Sequence, residues 1–173
     1  QNVMNTGFAH AVNQGLKIAK CDLFLLLNQD SQVKTDWLSP ALEILSGPKH
    51  HKIGIVGCKL VDEQGQVSHL GGTVLQPLGE GFHFKSPENS NDIMFVTGAA
   101  MIITRQCYAE VGDFDERFFP AYYEDVDYCL RARQKGWRLA IAAEAIFLHH
   151  DSQSSRSAFE KNLCLNTQRL RYL

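Results

Sequence analysis

The sequence is short of the features that mark several large classes of protein. Its cysteines number only five; Cys21, Cys58, Cys107, Cys129 and Cys164 stand far apart and form no C-x-x-C pair, which argues against a disulfide framework and a zinc knuckle. A reducing compartment is the simplest setting. No sign of charge dominates: 17 Lys and Arg against 19 Asp and Glu give a net charge of −2, so no global basic field draws the chain onto nucleic acid or an anionic membrane. Apolar runs are short as well. The densest, Leu23 to Leu27 and Leu139 to Leu148, are stopped by Asp22 and Asn28 or interrupted by Glu144, and neither approaches the ~20 residues a membrane-spanning helix needs.

Several catalytic signatures are missing. No G-x-x-x-x-G-K-[ST] loop is present and no G-x-G-x-x-G opens a helix after a strand, so P-loop phosphoryl transfer and dinucleotide binding lose support. The absence of a G-x-S-x-G elbow removes the common serine hydrolase of the α/β type. No signal or transit pattern follows Gln1, and the chain enters an amphipathic helix by Gly7. It reads as a domain cut from a longer protein.

What is present is ordinary globular composition: 173 residues, 45% hydrophobic and 21% charged. A chain of this size buries roughly 70% of its unfolded surface, ample for one core and thin for two. Phe8, Ala11, Val12, Leu16 and Ala19 recur at helical spacing, which predicts a helix over Gly7 to Lys20. Leu23 to Leu27 follows as a buried strand of the kind found in parallel sheets covered on both faces. Further helices are expected over Asp36 to Leu45, through Tyr108 to Val111, over Asp125 to Gln134 and over Ala158 to Leu173. Strands are expected at Ile53 to Leu60, Ile93 to Thr104 and Leu139 to Phe147. The glycine-rich stretch from Val61 to Phe84 reads as a hairpin excursion. Strands alternating with helices make an α/β protein with a mostly parallel sheet.

Three groups of residues invite chemistry. Asn28, Gln29 and Asp30 end a buried strand, where open α/β sheets bind ligands; they suit a ribose, a diphosphate or a hard metal, or simply a polar turn. Glu124, Asp125 and Asp127 follow the aromatics Phe118, Phe119, Tyr122 and Tyr123. Acids at a helix start favour the helix dipole, yet three so close also suit a proton acceptor. His149 and His150 end the last strand, and one imidazole with carboxylate and phosphate oxygens would suit manganese or magnesium.

Taken in order, Asn5-Thr6-Gly7-Phe8-Ala9-His10-Ala11-Val12-Asn13-Gln14-Gly15, Leu25-Leu26-Leu27-Asn28-Gln29-Asp30-Ser31, Thr97-Gly98-Ala99-Ala100-Met101, Gly112-Asp113-Phe114-Asp115-Glu116-Arg117-Phe118-Phe119, Tyr123-Glu124-Asp125-Val126-Asp127-Tyr128-Cys129-Leu130-Arg131, and His149 with Ser152 and Ser154 at the family's spacing after it, resemble the family-2 glycosyltransferases of the GT-A fold, nearest the rhamnosyltransferase-like branch that builds surface polysaccharide. Asp113 stands where that family usually has a second glycine. The resemblance implies a single, incomplete GT-A domain over residues 1–173, lacking the first nucleotide-binding βαβ portion. It implies a divalent cation, Mg or Mn, at Asp30 and His149. Asp125 would be the general base, with Glu124 and Asp127 in the same catalytic cluster. Gly7, Asn13, Asn28, Asp30, Gly98 and Ala99 would line the nucleotide-sugar site. The implied partners are a nucleotide-sugar donor and a glycan or lipid-linked acceptor, with no nucleic acid. The implied setting is cytoplasmic, with peripheral association at the inner face of the cell membrane, and the transfer would invert the anomeric centre. Two other classes compete: a glycosyltransferase-like binding module without activity, and a nucleotidyltransferase, which leaves the acidic helix and the histidine unexplained.

Overall fold

The computed structural model describes residues 4–47, 52–86 and 93–150. Twelve elements follow in the order α1 (Phe8–Ile18), β1 (Leu23–Leu27), β2 (Ser31–Val33), α2 (Leu38–Ser46), β3 (Ile53–Val61), β4 (Val67–His69), β5 (Gly72–Leu75), β6 (Glu80–His83), β7 (Ala100–Thr104), α3 (Arg105–Val111), α4 (Glu124–Gln134) and β8 (Arg138–His149). Ala9, Asn13 and Leu16 form the buried stripe of α1, at the i, i+4, i+7 spacing of one helix face. Thr104 caps α3 by accepting the Cys107 amide, and Gly112 ends it at a φ of 85°. The helix expected over Ala158 to Leu173 lies outside the described residues.

The large sheet runs β1-β7-β3-β8-β2, with β4 added to β3; β5 and β6 form a separate hairpin. The α/β class and flanking helices match the expectation, but the sheet is mixed rather than mostly parallel. Among the described residues only β3 and β8 pair in parallel, whereas β1–β7, β3–β7, β3–β4 and β2–β8 are antiparallel. The physical reason is plain in the packing. Phe24, Leu26, Ile55, Met101 and Ile103 face the core under α1, α3 and α4. Leu23, Leu25, Val56, Ile102 and Phe147 face the core under α2. A strand covered on both faces needs unbroken apolar residues whichever way its neighbour runs.

The strand expected over Ile93 to Thr104 is realised only from Ala100 onward. Phe95 makes an isolated bridge to Gly72, and Thr97 to Ala99 form a turn whose amides bond to side chains instead of a neighbouring strand. That turn lies at the end of the sheet where β1 and β8 also finish.

Candidate active site

Two halves of a site meet at the Thr97–Ala99 turn. The first grows from the end of β1. Leu27 pairs with Ala100, and the next residue, Asn28, donates its amide to the Ala99 carbonyl over 3.1 Å. Ser31 closes the Asn28–Ser31 turn through its amide and also donates its hydroxyl to the Ala99 carbonyl over 3.3 Å. It then pairs with His149 across β2 and β8. This register brings Asp30 to the last residue of β8, with Asp30 Oδ1 3.4 Å from His149 Nε2. The His150 ring turns elsewhere and meets Glu63 Oε1 at 2.9 Å, so of the two histidines it is His149 that faces Asp30. Ser152 and Ser154, whose spacing in the family resemblance favours His149, lie outside the described residues.

Asp30 Oδ1 is buried without a hydrogen-bond partner among the described residues. A buried carboxylate oxygen in that state is costly unless something else neutralises it. Its separation from the imidazole nitrogen is close to the roughly 3 Å expected between adjacent ligands of an octahedral ion with bonds of about 2.1 Å. The pair therefore fits a hard divalent cation that completes its shell from water and phosphate oxygens. No group of three or more His, Cys, Asp or Glu side chains forms a closed metal cage among the described residues.

The second half is the start of α4. Tyr122 and Tyr123 adopt φ values of 80° and 70°, a left-handed backbone that costs bulky residues on the order of 1 kcal/mol each and tends to occur at functional sites. This sharp entry buries Glu124 to 6% exposure and turns Asp125 toward the Thr97–Ala99 turn. Gly98 donates its amide to Asp125 Oδ2 over 3.0 Å, and Val126 donates to Oδ1 over 2.8 Å. Burial, followed by the charge on Asp125, holds the Glu124 carboxyl well above the usual carboxylate range. Two adjacent acids thus occupy unlike environments: burial favours the neutral form of Glu124, and Asp125 is held by backbone amides.

Other expected members of the site lie apart. Asp127 pairs with Arg131 at 2.7 Å on the outer side of α4, facing a cavity shared with Asp115, Arg117 and Phe118. It does not join Asp125, because residues two apart on a helix point in different directions. Asn13 faces inward rather than toward a ligand. Its amide donates to the Phe114 carbonyl and Glu116 Oε1 and accepts from the Phe114 amide, all within 2.9 Å, so it braces the loop before α4. Phe118 and Tyr123 are core residues, while Phe119 is 52% exposed. Gly7, at a φ of 86°, lets α1 approach Phe119 and Pro120; a Cβ there would meet the Phe119 ring at 2.9 Å.

An open groove of about 780 Å3 runs from Asn28 and Asp30 along β1 and α1, past Phe8, Val12 and Leu16 to Tyr122. Its size lies in the ordinary range for small-molecule sites. Tyr122, one of the four aromatics that the sequence offers as an acceptor-groove lining, stands in the wall of this groove with Phe8, whereas Phe8 and the buried His69 behind the turn carry no site signal in the sequence. Phe8 reads as core in a helical stripe, and His69 is one of several polar residues in a glycine-rich stretch, with no motif around it. Burial pushes the Cys58 and Cys107 thiols up to about 12 and the Cys129 thiol higher still, which makes these three poor nucleophiles.

Comparison with known proteins bears on the family and the fold. The O-antigen biosynthesis protein RfbC of Myxococcus xanthus is 32% identical over 159 residues, covering 84% of this chain and 12% of that protein. The N-acetylglucosaminyl-diphospho-decaprenol L-rhamnosyltransferase of Mycobacterium tuberculosis is 36% identical over 61 residues, covering 35% of this chain and 20% of the relative. The chain thus spans only a small part of the length of these relatives. Among solved structures, GalNAc-T7 with UDP, GalNAc and Mn2+ superposes with a TM-score of 0.66 at 15% identity, over 86% of this chain and 31% of that one. The mannosyltransferase PcManGT of Pyrobaculum calidifontis, in complex with GDP-Man and Mn2+, gives 0.60 at 16% identity, over 95% of this chain and 41% of that one. These likenesses show the GT-A fold. The sequence model of the family described as "Glycosyltransferase like family 2" matches residues 1–169, and the chain belongs to that family.

Proposed function

We propose that this domain transfers a sugar from a nucleoside diphosphate donor to a hydroxyl of a glycan or lipid-linked glycan, with inversion, in the synthesis of surface polysaccharide. The observation that carries this is the Thr97–Ala99 turn, whose consecutive residues Gly98 and Ala99 tie Asp125 to one side and Asn28 to the other. Displacement of a nucleoside diphosphate from an anomeric carbon needs a base on the attacking side and charge stabilisation on the leaving side. Asp125 takes the acceptor proton at its carboxylate. Asp30 and His149 would hold a divalent cation, Mg or Mn, whose charge offsets that of the leaving diphosphate. Asn28 and the groove along α1 bind the donor, and Tyr122 and Phe119 offer aromatic faces to sugar. Base and leaving group on opposite sides of the reacting carbon give inversion. The names of the curated relatives favour a rhamnosyl donor and a polyprenyl diphosphate-linked acceptor. No described helix is long and apolar enough to cross a membrane.

The test is Asp125→Asn, which keeps an oxygen for the Gly98 amide while removing the base. With UDP-, GDP- or dTDP-sugars and oligosaccharide or polyprenyl diphosphate-linked acceptors, turnover should fall by about 10²–10⁴-fold, with calorimetric nucleotide binding in Mn2+ unchanged. Wild-type turnover in this variant would remove Asp125 as the base. Nucleotide binding by the wild-type chain without any transfer would favour a binding module instead.

A further inference from the structure

We propose that His69 is a positioning residue for glycosyl transfer, locking through the Thr97 amide the turn whose next amide holds Asp125; this rests on Asp125 acting as the base. His69 ends the three-residue strand β4 and is only 2% exposed. A buried imidazole is costly unless its nitrogens are satisfied, and both are engaged. Nε2 accepts the Thr97 amide over 3.2 Å, and Nδ1 lies 2.7 Å from Nδ1 of His83 on β6. The backbone amide can only donate, so Nε2 carries the lone pair and the ring proton sits on Nδ1. His69 therefore donates to His83, whose own proton is on Nε2. The ring is wedged between His83 and Phe95, with centroids 4.9 and 5.9 Å away. Burial, reinforced by His83 and His149, lowers the His69 pKa to about 3, which keeps the acceptor at Nε2 in place across the working pH range.

The consequence lies one residue on. Three successive amides each bond to a side chain: Thr97 to His69, Gly98 to Asp125 and Ala99 to Thr97 Oγ1. Only φ and ψ of Thr97 separate its own amide plane from the one that carries the Gly98 N–H, and Thr97 is anchored on both sides of them, by its amide on His69 and by its Oγ1 on the Ala99 amide, which limits the direction of the Gly98 N–H. Gly98 has no side chain of its own to set that direction. His83 acts one step further out, by holding the tautomer of His69. The β4 strand and the β5–β6 hairpin are thereby connected to the carboxylate of α4.

The experiment uses the full chain with His69→Phe, which keeps a ring and loses the acceptor, and His69→Gln, which restores an oxygen near the Nε2 position. With the nucleotide sugar that turns over in the panel above, His69→Phe should lower kcat by about 10-fold or more, with donor KM within about two-fold. The Gly98 amide proton resonance should move in the same variant, and His69→Gln should recover most of both effects. Wild-type kcat in His69→Phe, or equal impairment of both variants with a matching fall in Tm, overturns the proposal. Should His69→Phe fail to fold, the imidazole 15N spectrum of the wild type decides: a protonated His69 Nε2 at neutral pH overturns it. An inactive Asp125→Asn beside a fully active His69→Phe would sink the positioning role alone, whereas an active Asp125→Asn sinks the base assignment beneath it.

Discussion

A Cβ on Gly98 would stand 2.8 Å from Cζ of Phe8 and 3.1 Å from its Cε1, with the Cβ of Asp125 3.8 Å away on another side. The first residue of α1 thus seals the turn that holds Asp125. Phe8 is itself set edge-on against Phe114, 6.4 Å between centroids. Gly98→Ala should push either the ring or the turn, moving the amide from Asp125 and lowering kcat/KM by roughly 10²-fold. Phe8→Leu in the same chain should return part of the loss, a coupling of about 0.5–3 kcal/mol in a double-mutant cycle. Additive effects, or a Gly98→Ala variant with wild-type kinetics, would show that this contact does not govern Asp125.

The separation of Asp30 from His149 leads to a prediction about metal. Asp30→Asn and His149→Ala should each weaken Mn2+ binding in the presence of UDP by about 10-fold or more, read by calorimetry. Chelation of the wild-type chain should stop transfer. His150→Ala is the control: its ring faces Glu63 rather than Asp30, so Mn2+ affinity should be unchanged. Equal losses in the two histidine variants would mean that the cation is held elsewhere.

Much of the fold is legible in the sequence because local patterns decide it. The stripe of α1, the run of β1 and the glycine after α3 each specify an element by periodicity or backbone freedom, and the observed limits differ from the expected ones by a few residues. Pairing direction is not local. Leu23 to Leu27 is buried on both faces whether β7 runs with it or against it, so the mixed sheet was hidden. The site divides the same way. Asp30, Asp125 and His149 occur in ordered motifs and could be picked out, while Asp127 and Asn13 share those motifs but point away from the groove. Telling them apart needs the rotation of α4 and the packing of α1 on Phe114, which tertiary contacts set. His69 carries no motif at all; its role depends on partners 14 and 28 residues away.

Asn13 gives a test that separates a brace from a ligand. Its three hydrogen bonds satisfy both backbone groups of buried Phe114 and one oxygen of Glu116. Asn13→Ala leaves those groups unpaired, and stability should fall by about 2–3 kcal/mol, or a Tm loss of about 4–12 °C for a chain of this size. Nucleotide affinity of the folded fraction should hold. Loss of affinity with an unchanged Tm would instead return Asn13 to the nucleotide site.

Glu124 makes stability depend on pH with a sign opposite to that of Asp113, Asp115 and Glu116. The bonds from Lys17 to Asp113, from Arg117 to Asp115 and from Asn13 to Glu116 hold those three carboxyls below their ordinary values. Their contribution is present above the ordinary carboxylate range and is lost as pH falls through the lowered values. Burial raises Glu124 instead, so between its ordinary value and the raised one the native state binds more protons than the unfolded chain. Stability from this group therefore falls as pH rises through that window. His69, held down to about 3 by burial, works the other way, adding stability as pH rises toward the ordinary histidine value. The difference between wild type and Glu124→Gln cancels His69 and isolates Glu124. Unfolding free energies from urea titrations at pH 5 and pH 7.5 should show the variant gaining on the wild type as pH rises. A difference that is the same at both pH values would mean that Glu124 is ionised in the native protein, and the buried proton beside Asp125 would have to be abandoned.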